Sequence, residues 1–408
     1  MFPTKKMLEA FTSLRWFKTS VFLGMLTGPL CSEAAETVIS ARYNGNASGE
    51  FENTTPEAAY CKRFPGRCVG KFFTANLPVT YDKQSVHEAP NPRQQFYIKA
   101  PASRTVRVTH DKSSEFHDLL FEITHLSQGV TNDPRYPGRA NPVFTAYPQG
   151  GCDYAVTTAV GNMSYYLWAV RSPASPAGCY SSGGGAGTAG DVHQNPVDTL
   201  GVGFRLAMPS ALRMKQGIYR GSLDFTVGPG GDLDPGDGVT NLNSPTLRIN
   251  FELDVQHTFT LEFPAASDRA VLEPPGGWSR WLGGGTPPSR LGRSMRLNLW
   301  STGPFKVYKL CQYDQGVGCG IRNGAGHEVP VDVALTLPSS VQHANAPVRR
   351  LAIPTGRDAA LAFEMAMPVA GQSGQLHFDV VAQHVKSMLD YPGSTYLGDV
   401  TVLFDATL

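Results

Sequence analysis

The sequence lacks the long amphipathic repeats of helices. Nowhere do apolar residues recur at 3.6-residue spacing over several turns, which argues against a helical bundle. Past an N-terminal leader it also lacks any run of about eighteen apolar residues, so no membrane-spanning helix is expected. Neither sign of charge is in excess: 35 Lys and Arg against 34 Asp and Glu give a formal +1. That balance argues against nucleic acid or an anionic membrane as partner. There is no Gly-x-Ser-x-Gly elbow, no His-Glu-x-x-His and no phosphate loop, so no catalytic residues are nominated and an enzyme is not expected. Cys-x-x-Cys and paired-histidine spacings are missing too, so neither a metal nor another cofactor is expected.

What is present begins with that leader. Lys5, Lys6, Arg15 and Lys18 precede the short apolar stretch Val21 to Leu26, and Ser32-Glu-Ala34 offers small residues for cleavage before Ala35. Residues 1–34 read as a secretory signal peptide. Its removal takes away four basic and two acidic groups and moves the formal charge from +1 to −1. Roughly 370 residues would remain, enough for two domains.

Of seven cysteines, six lie beyond the leader: Cys61, Cys68, Cys152, Cys179, Cys311 and Cys319. An even number in an exported chain reads as disulfides, although sequence alone does not choose the connectivity. Pairing of sequence neighbours is the expectation.

Glycine (43) and proline (31) are abundant, and they separate short alternating runs. Examples are Leu223 to Val227, Leu247 to Val255, Met295 to Leu299, Val329 to Leu337, Leu376 to Val380 and Val400 to Phe404. Period-2 alternation between such turns argues for an all-β chain of two tandem β-sandwich domains. Pro330 places its run at an edge or at a strand start. Ser210 to Lys215, after Pro209, is a candidate short helix. The domain break is expected near Val255 to Thr258, giving domains 35–256 and 257–408. A faint repeat links Tyr219-Arg-Gly221 with Tyr396-Leu-Gly398, one copy in each domain.

The order of several motifs resembles the tip adhesins and biogenesis initiators of alternate-chaperone pili, of the cable-pilus and colonisation-factor type. In the second domain these are Leu291 to Met295, then Leu310-Cys311-Gln-Tyr313-Asp314, then Gly374 to Asp379, then Tyr396 to Val402. In the first they are Tyr43-Asn-Gly45 followed by Cys61 and Cys68, and Ala207-Met-Pro209-Ser210. The resemblance implies an elongated adhesin domain followed by an incomplete immunoglobulin-like pilin domain that lacks one strand. It implies a donor-strand groove lined on one side by Val400, Val402 and Phe404, filled first by a periplasmic pilus chaperone and later by the arm of a major pilin. An outer-membrane usher, export through the periplasm and a place at the pilus tip follow. A domain that begins directly after the leader could accept a strand but not donate one. The chain departs from the family at Gly228 to Gly238, where an acidic turn stands in place of arginines tied to receptor binding.

For a host glycan or glycoprotein receptor, the basic residues Lys62, Arg63 and Arg67 on the Cys61–Cys68 loop suit an acidic sugar, because a guanidinium matches carboxylate or sulfate. Arg135, Tyr136 and Arg139 offer a second pairing of charge and ring. Tyr165, Tyr166 and Trp168 could stack on a sugar or fill a core. Asp232, Asp234 and Asp237 have oxygen ligands for calcium, but their spacing departs from an EF-hand and an acidic turn is the simpler reading. The function expected is therefore a pilus-tip adhesin and assembly initiator. The alternatives are a minor pilin or initiator without receptor binding, or a secreted β-sandwich hydrolase.

Overall fold

The computed structural model describes residues 34–408 apart from 69–71, 136–147, 182–186, 266, 317, 366 and 407–408. The expected signal peptide, residues 1–34, lies outside the described residues but for Ala34, as do Tyr136 and Arg139.

The fold is all-β, and the described strands form two sets of sheets. Every described strand before residue 256 belongs to a twelve-stranded sheet or to a small three-stranded one. Two 16-residue strands, Phe116–Thr131 and Val192–Ala207, run side by side through the larger sheet. Alternation places Leu247, Ile249, Phe251, Leu253 and Val255 of Thr246–Val255 in the core, between the parallel strand Ala35–Tyr43 and the antiparallel strand Gly217–Thr226. The small sheet joins Phe96–Ile98, Cys179–Ser181 and Gln149–Gly150.

The second set holds a seven-stranded and a five-stranded sheet around a separate core that includes Leu297, Leu299, Phe305, Val307, Leu335 and Phe363. Its first strand, Phe259–Glu262, follows Val255 by a short connection. Pro330 is the third residue of Glu328–Thr336. It faces Gly320 on one side, while the strand Val369–Val380 joins the other side only from Asp332 onward. Proline, which has no N–H, thus stands where no ladder partner needs one.

The expected helix at Ser210 to Lys215 is one 3-10 turn, Ala211–Arg213. Three short helices went unforeseen, Ala59–Arg63, Ser279–Leu282 and Ala382–Met388; the last packs Val385 and Met388 against Leu291, Val331 and Val380. The three disulfides join Cys61 to Cys68, Cys152 to Cys179 and Cys311 to Cys319.

The two Tyr-x-Gly motifs do the same work. The Tyr219 hydroxyl donates to Glu115 Oε1 at 2.6 Å, and the Tyr396 hydroxyl shares a 2.8 Å hydrogen bond with His327 Nδ1. A Cβ at Gly221 would meet the Arg107 carbonyl at 2.2 Å, and one at Gly398 the Gly320 carbonyl at 2.5 Å. Each motif pins a late segment by its ring and lets a neighbouring backbone approach at its glycine.

Candidate functional sites

The most distinctive candidate site is an apolar seam between two edge strands in the second set of sheets. Val400–Asp405 pairs only with Phe305–Cys311, and Phe259–Glu262 pairs only with Leu291–Ser301, among the described residues. These two strands are therefore edges of opposite sheets. Their ladders place them at the same level: Phe259 is opposite Ser301 at one end of its strand, and Asp405 is opposite Lys306 at the matching end of the other. The Phe259 and Phe404 rings lie 6.3 Å apart, and both rings pack on Phe305, at 5.2 and 6.3 Å.

Alternation aims Val400, Val402 and Phe404 from one edge, and Phe259 and Leu261 from the other, at the same core. All five are only half-buried, whereas Phe305, Val307 and Phe363 on the neighbouring strands are fully buried. An apolar row that points inward yet stays half-covered, between two free backbone edges, is the surface a further strand would complete. Val400, Val402 and Phe404, singled out from the sequence, lie on one of these edges. The other wall, Phe259 and Leu261, is too short an alternation to be singled out without the topology.

The second site is the disulfide-closed loop. Thr74 Oγ1 and Asn76 Oδ1 accept from the amides of Ala58 and Ala59 at 3.0 and 2.8 Å and anchor the helix Ala59–Arg63 to the strand Phe73–Leu77. Tyr60 and Cys61 face inward onto Tyr165 and Leu167. Lys62, Arg63 and Arg67 all face solvent. The Arg63 guanidinium stands 5.1 Å from the centroid of Tyr165 and 5.9 Å from that of Phe64, the geometry of a cation over a ring face.

These three cations differ from the arginines on the broad outer sheet face. There Arg42 pairs with Asp254 at 3.0 Å, Arg107 with Asp118 at 2.8 Å, Arg220 with Glu252 at 3.0 Å and Arg248 with Asp224 at 2.7 Å. Lys62, Arg63 and Arg67 take part in no ion pair among the described residues. The loop thus projects uncompensated positive charge, while the sheet face neutralises itself.

Arg135 is not such a group. Its guanidinium binds both oxygens of Asp133, at 3.0 and 2.7 Å, and donates to the Val192 carbonyl. Arg135, with the amides of Gln194 and of Arg135 itself, outweighs the effect of burial and holds the Asp133 carboxyl well below its ordinary range. Its charge is thus matched by Asp133, while its side chain is 62% exposed.

Of the two readings of the aromatic run, the structure supports the core. Tyr166 and Trp168 are wholly buried and stacked at 4.0 Å, and Tyr165 is 8% exposed beneath Arg63. Alternation sends Tyr166 and Trp168 into the core, so no sugar reaches them.

The acidic turn is met by the chain's own cations. Arg93 binds Asp234 at 2.6 Å and Asp237 at 3.0 Å, and Arg104 binds Asp232. The buried Lys83 ammonium donates to the carbonyls of Arg93, Pro235 and Asp237 at 3.1, 3.0 and 2.5 Å. Burial lowers the Lys83 ammonium to about 8, against the pull of Asp237. Burial alone would raise the Asp234 carboxyl, but Arg93 and the amides of Gly236 and Gly230 bring it below its usual value. Arg93 and Arg104 lie far from the turn in sequence, so its neutralisation could not be read there.

No family model matches the chain, and no curated protein does. Solved structures similar to it are pilus-tip adhesins. One is from a study of the chaperone–tip adhesin complex in CFA/I fimbriae biogenesis (10% identity, 91% of this chain, 96% of that chain, TM-score 0.27). A second is CfaE, the adhesive subunit of the CFA/I fimbria of enterotoxigenic Escherichia coli (10% identity, 91% and 92% coverage, TM-score 0.25). A third is from the CsuC–CsuE chaperone–tip adhesion subunit pre-assembly complex of archaic chaperone-usher Csu pili of Acinetobacter baumannii (10% identity, 91% and 98% coverage, TM-score 0.21).

Proposed function

We propose that this chain is a non-enzymatic adhesive subunit whose second domain, residues 257–408, is completed by a β-strand from another polypeptide. The observation that carries the reading is the half-buried apolar row of Phe259, Leu261, Val400, Val402 and Phe404 between two unpaired edges. Such edges are aggregation-prone in isolation, and a donated strand supplies both main-chain hydrogen bonds and alternate side chains for the seam. In the assembly implied by the sequence motifs, a periplasmic chaperone occupies the seam first, an outer-membrane usher receives the subunit, and the arm of the major pilin replaces the chaperone at the pilus tip.

The first domain, residues 35–256, is the receptor-binding part in this reading. Lys62, Arg63 and Arg67 are its candidate contacts, because they are exposed, uncompensated and held on a disulfide-closed loop. A sialylated or sulfated glycan has the charge and planar acceptors they suit.

Two measurements test the two halves of the proposal. Hydrogen exchange is followed with and without a synthetic strand of alternating Val and Thr; protection confined to residues 259–262 and 400–405 is expected, and unchanged exchange there refutes the seam. Binding of the chain to arrays of sialylated, sulfated and neutral glycans is compared with that of the Lys62→Ala/Arg63→Ala/Arg67→Ala variant. Equal binding by the two refutes the loop as a receptor contact.

A further inference from the structure

The chain passes from one set of sheets to the other through a single residue. Val255 still belongs to the ladder with Tyr43, and the Gln256 amide donates to the Tyr43 carbonyl at 2.8 Å. Thr258 already belongs to the second set: its amide donates to Thr302 Oγ1 at 2.9 Å, and its carbonyl accepts from the Thr302 amide at 3.1 Å. His257 alone lies between them. We infer that His257 is an acid-released latch: as a neutral imidazole it clamps the two sets of sheets in one orientation, and as an imidazolium it lets go. The inference depends neither on receptor binding nor on a donated strand.

The clamp is visible on both sides of the ring. His257 Nε2 donates to the Met214 carbonyl at 2.7 Å, and the ring meets that of Tyr43 edge-on at 5.4 Å. Met214 and Tyr43 are both fully buried in the core of the first set. On the other side the ring lies against Gly303, where a Cβ would meet its Cγ at 2.2 Å, so only glycine leaves room for it. One residue further on, Thr258 reaches back to the first set: a Cβ at Gly45 would meet its Cγ2 at 2.9 Å. A link with hydrogen bonds on each side of one residue has little slack, so the orientation of the two sets rests on how that residue packs.

The release follows from the second ring nitrogen. A carbonyl only accepts, so Nε2 carries the proton and Nδ1 of the neutral ring is a bare lone pair. Nδ1 is buried and makes no hydrogen bond among the described residues. Burial lowers the imidazole, against the Met214 carbonyl and the Thr302 main chain, which favour the charged form. The segments packed around the ring bring no uncommitted carboxylate to hold an imidazolium. Tyr43 donates its phenol to the Asn46 carbonyl at 2.9 Å, and the Lys215 ammonium, beside Met214, lies 3.9 Å from Glu115. Asp254, on the strand that leads to His257, is bound by Arg42 at 3.0 Å, and Thr302, Gly303 and Pro304 carry no charge. The clamped state thus binds the proton less well than a hydrated ring does. Opening is favoured as pH falls below the ordinary histidine value of about 6.5.

The test uses residues 35–408 and two readouts, hydrogen exchange corrected for intrinsic rate and small-angle X-ray scattering, each at about pH 7.5 and about pH 5. In the parent, protection of the Gln256, Thr258 and Thr302 amides should fall about tenfold on acidification. Scattering should pass from one fixed shape to a broadened set, while Phe251 and Leu299 stay protected within their ladders. His257→Gln keeps a donor for the Met214 carbonyl but does not titrate, so it should stay clamped at both pH values. His257→Ala should be open at both. The latch is overturned if either readout of the parent is the same at the two pH values, if His257→Gln opens on acidification as the parent does, or if His257→Ala stays clamped at both. The parent comparison needs no substitution, so it remains decisive should a variant fail to fold. None of these outcomes touches the charged loop or strand completion of the seam, so the readings fail separately.

Discussion

Replacing Phe404 by alanine should cost more when the seam is filled than when it is empty. In a packed core, Phe→Ala costs about 3–5 kcal/mol. Phe404 is half-buried, with contacts on one side to Phe259 and Phe305, so about 2 kcal/mol is expected for the chain alone. A strand laid along Val400–Asp405 would cover the open side, and the same substitution should then approach about 4 kcal/mol. The difference, about 2 kcal/mol, is a loss of affinity for the strand of about 30-fold. Urea denaturation of parent and Phe404→Ala, each with and without a saturating strand peptide, closes the cycle, and direct titration of the peptide checks it. The same cost in both states would refute the reasoning, because Phe404 would then gain no cover from the strand.

Other outcomes follow from the packing and the charges. Removing Cys152–Cys179, which closes a separation of 27 residues, should cost about 3.5 kcal/mol, against about 2.5 for Cys61–Cys68 or Cys311–Cys319, with separations of 7 and 8; melts of the three double Cys→Ala variants rank them. Arg93→Met should cost about 3 kcal/mol at neutral pH, because it strands the Asp234 carboxylate, only 5% exposed, beside a partner one-third exposed. The Asp234 carboxyl is depressed in the fold, so this contribution is present above its unfolded value and should vanish as pH falls through the folded one; denaturation at pH 7 and pH 3 reads the change. Burial lowers the imidazoles of His125, to about 4, and of His193, His257 and His377. The folded chain then binds fewer protons than the unfolded one, so stability should fall as pH drops from about 6.5 toward 4, and His125→Gln should flatten that slope in a series of melts.

Much of the β architecture was legible because alternation is a local signal. Leu247 to Val255 and Val400 to Phe404 announce their faces without reference to any partner. The disulfides were legible because each pair is close in sequence. The stretch Val255 to Thr258, where the break was expected, connects the strands Thr246–Val255 and Phe259–Glu262. Of the two edge strands, Val400–Asp405 carries three apolar residues in phase and was singled out from the sequence, whereas Phe259–Glu262 has only Phe259 and Leu261.

What the sequence hid depends on distant residues. Arg135 looked like a free surface arginine, and only the fold shows the buried carboxylate of Asp133 that engages it. The acidic turn looked uncompensated because Arg93, Arg104 and Lys83 reach it from more than a hundred residues away. Tyr165, Tyr166 and Trp168 are adjacent in sequence, but strand alternation separates the first from the other two. The helix Ala382–Met388 carried a weak signal in Val381, Val385 and Met388, spaced four and three residues apart, which a search for longer helices passes over.

The central claim is that the second domain is one strand short. The most direct measurement is the melting temperature of residues 35–408, alone and with an alternating Val/Thr strand joined to Leu408 by a flexible linker. A large rise in melting temperature with loss of aggregation is predicted, because the strand covers Phe259, Leu261, Val400, Val402 and Phe404 and pairs both edges. An unchanged melting temperature would contradict the account and mark the sandwich as complete without a donor.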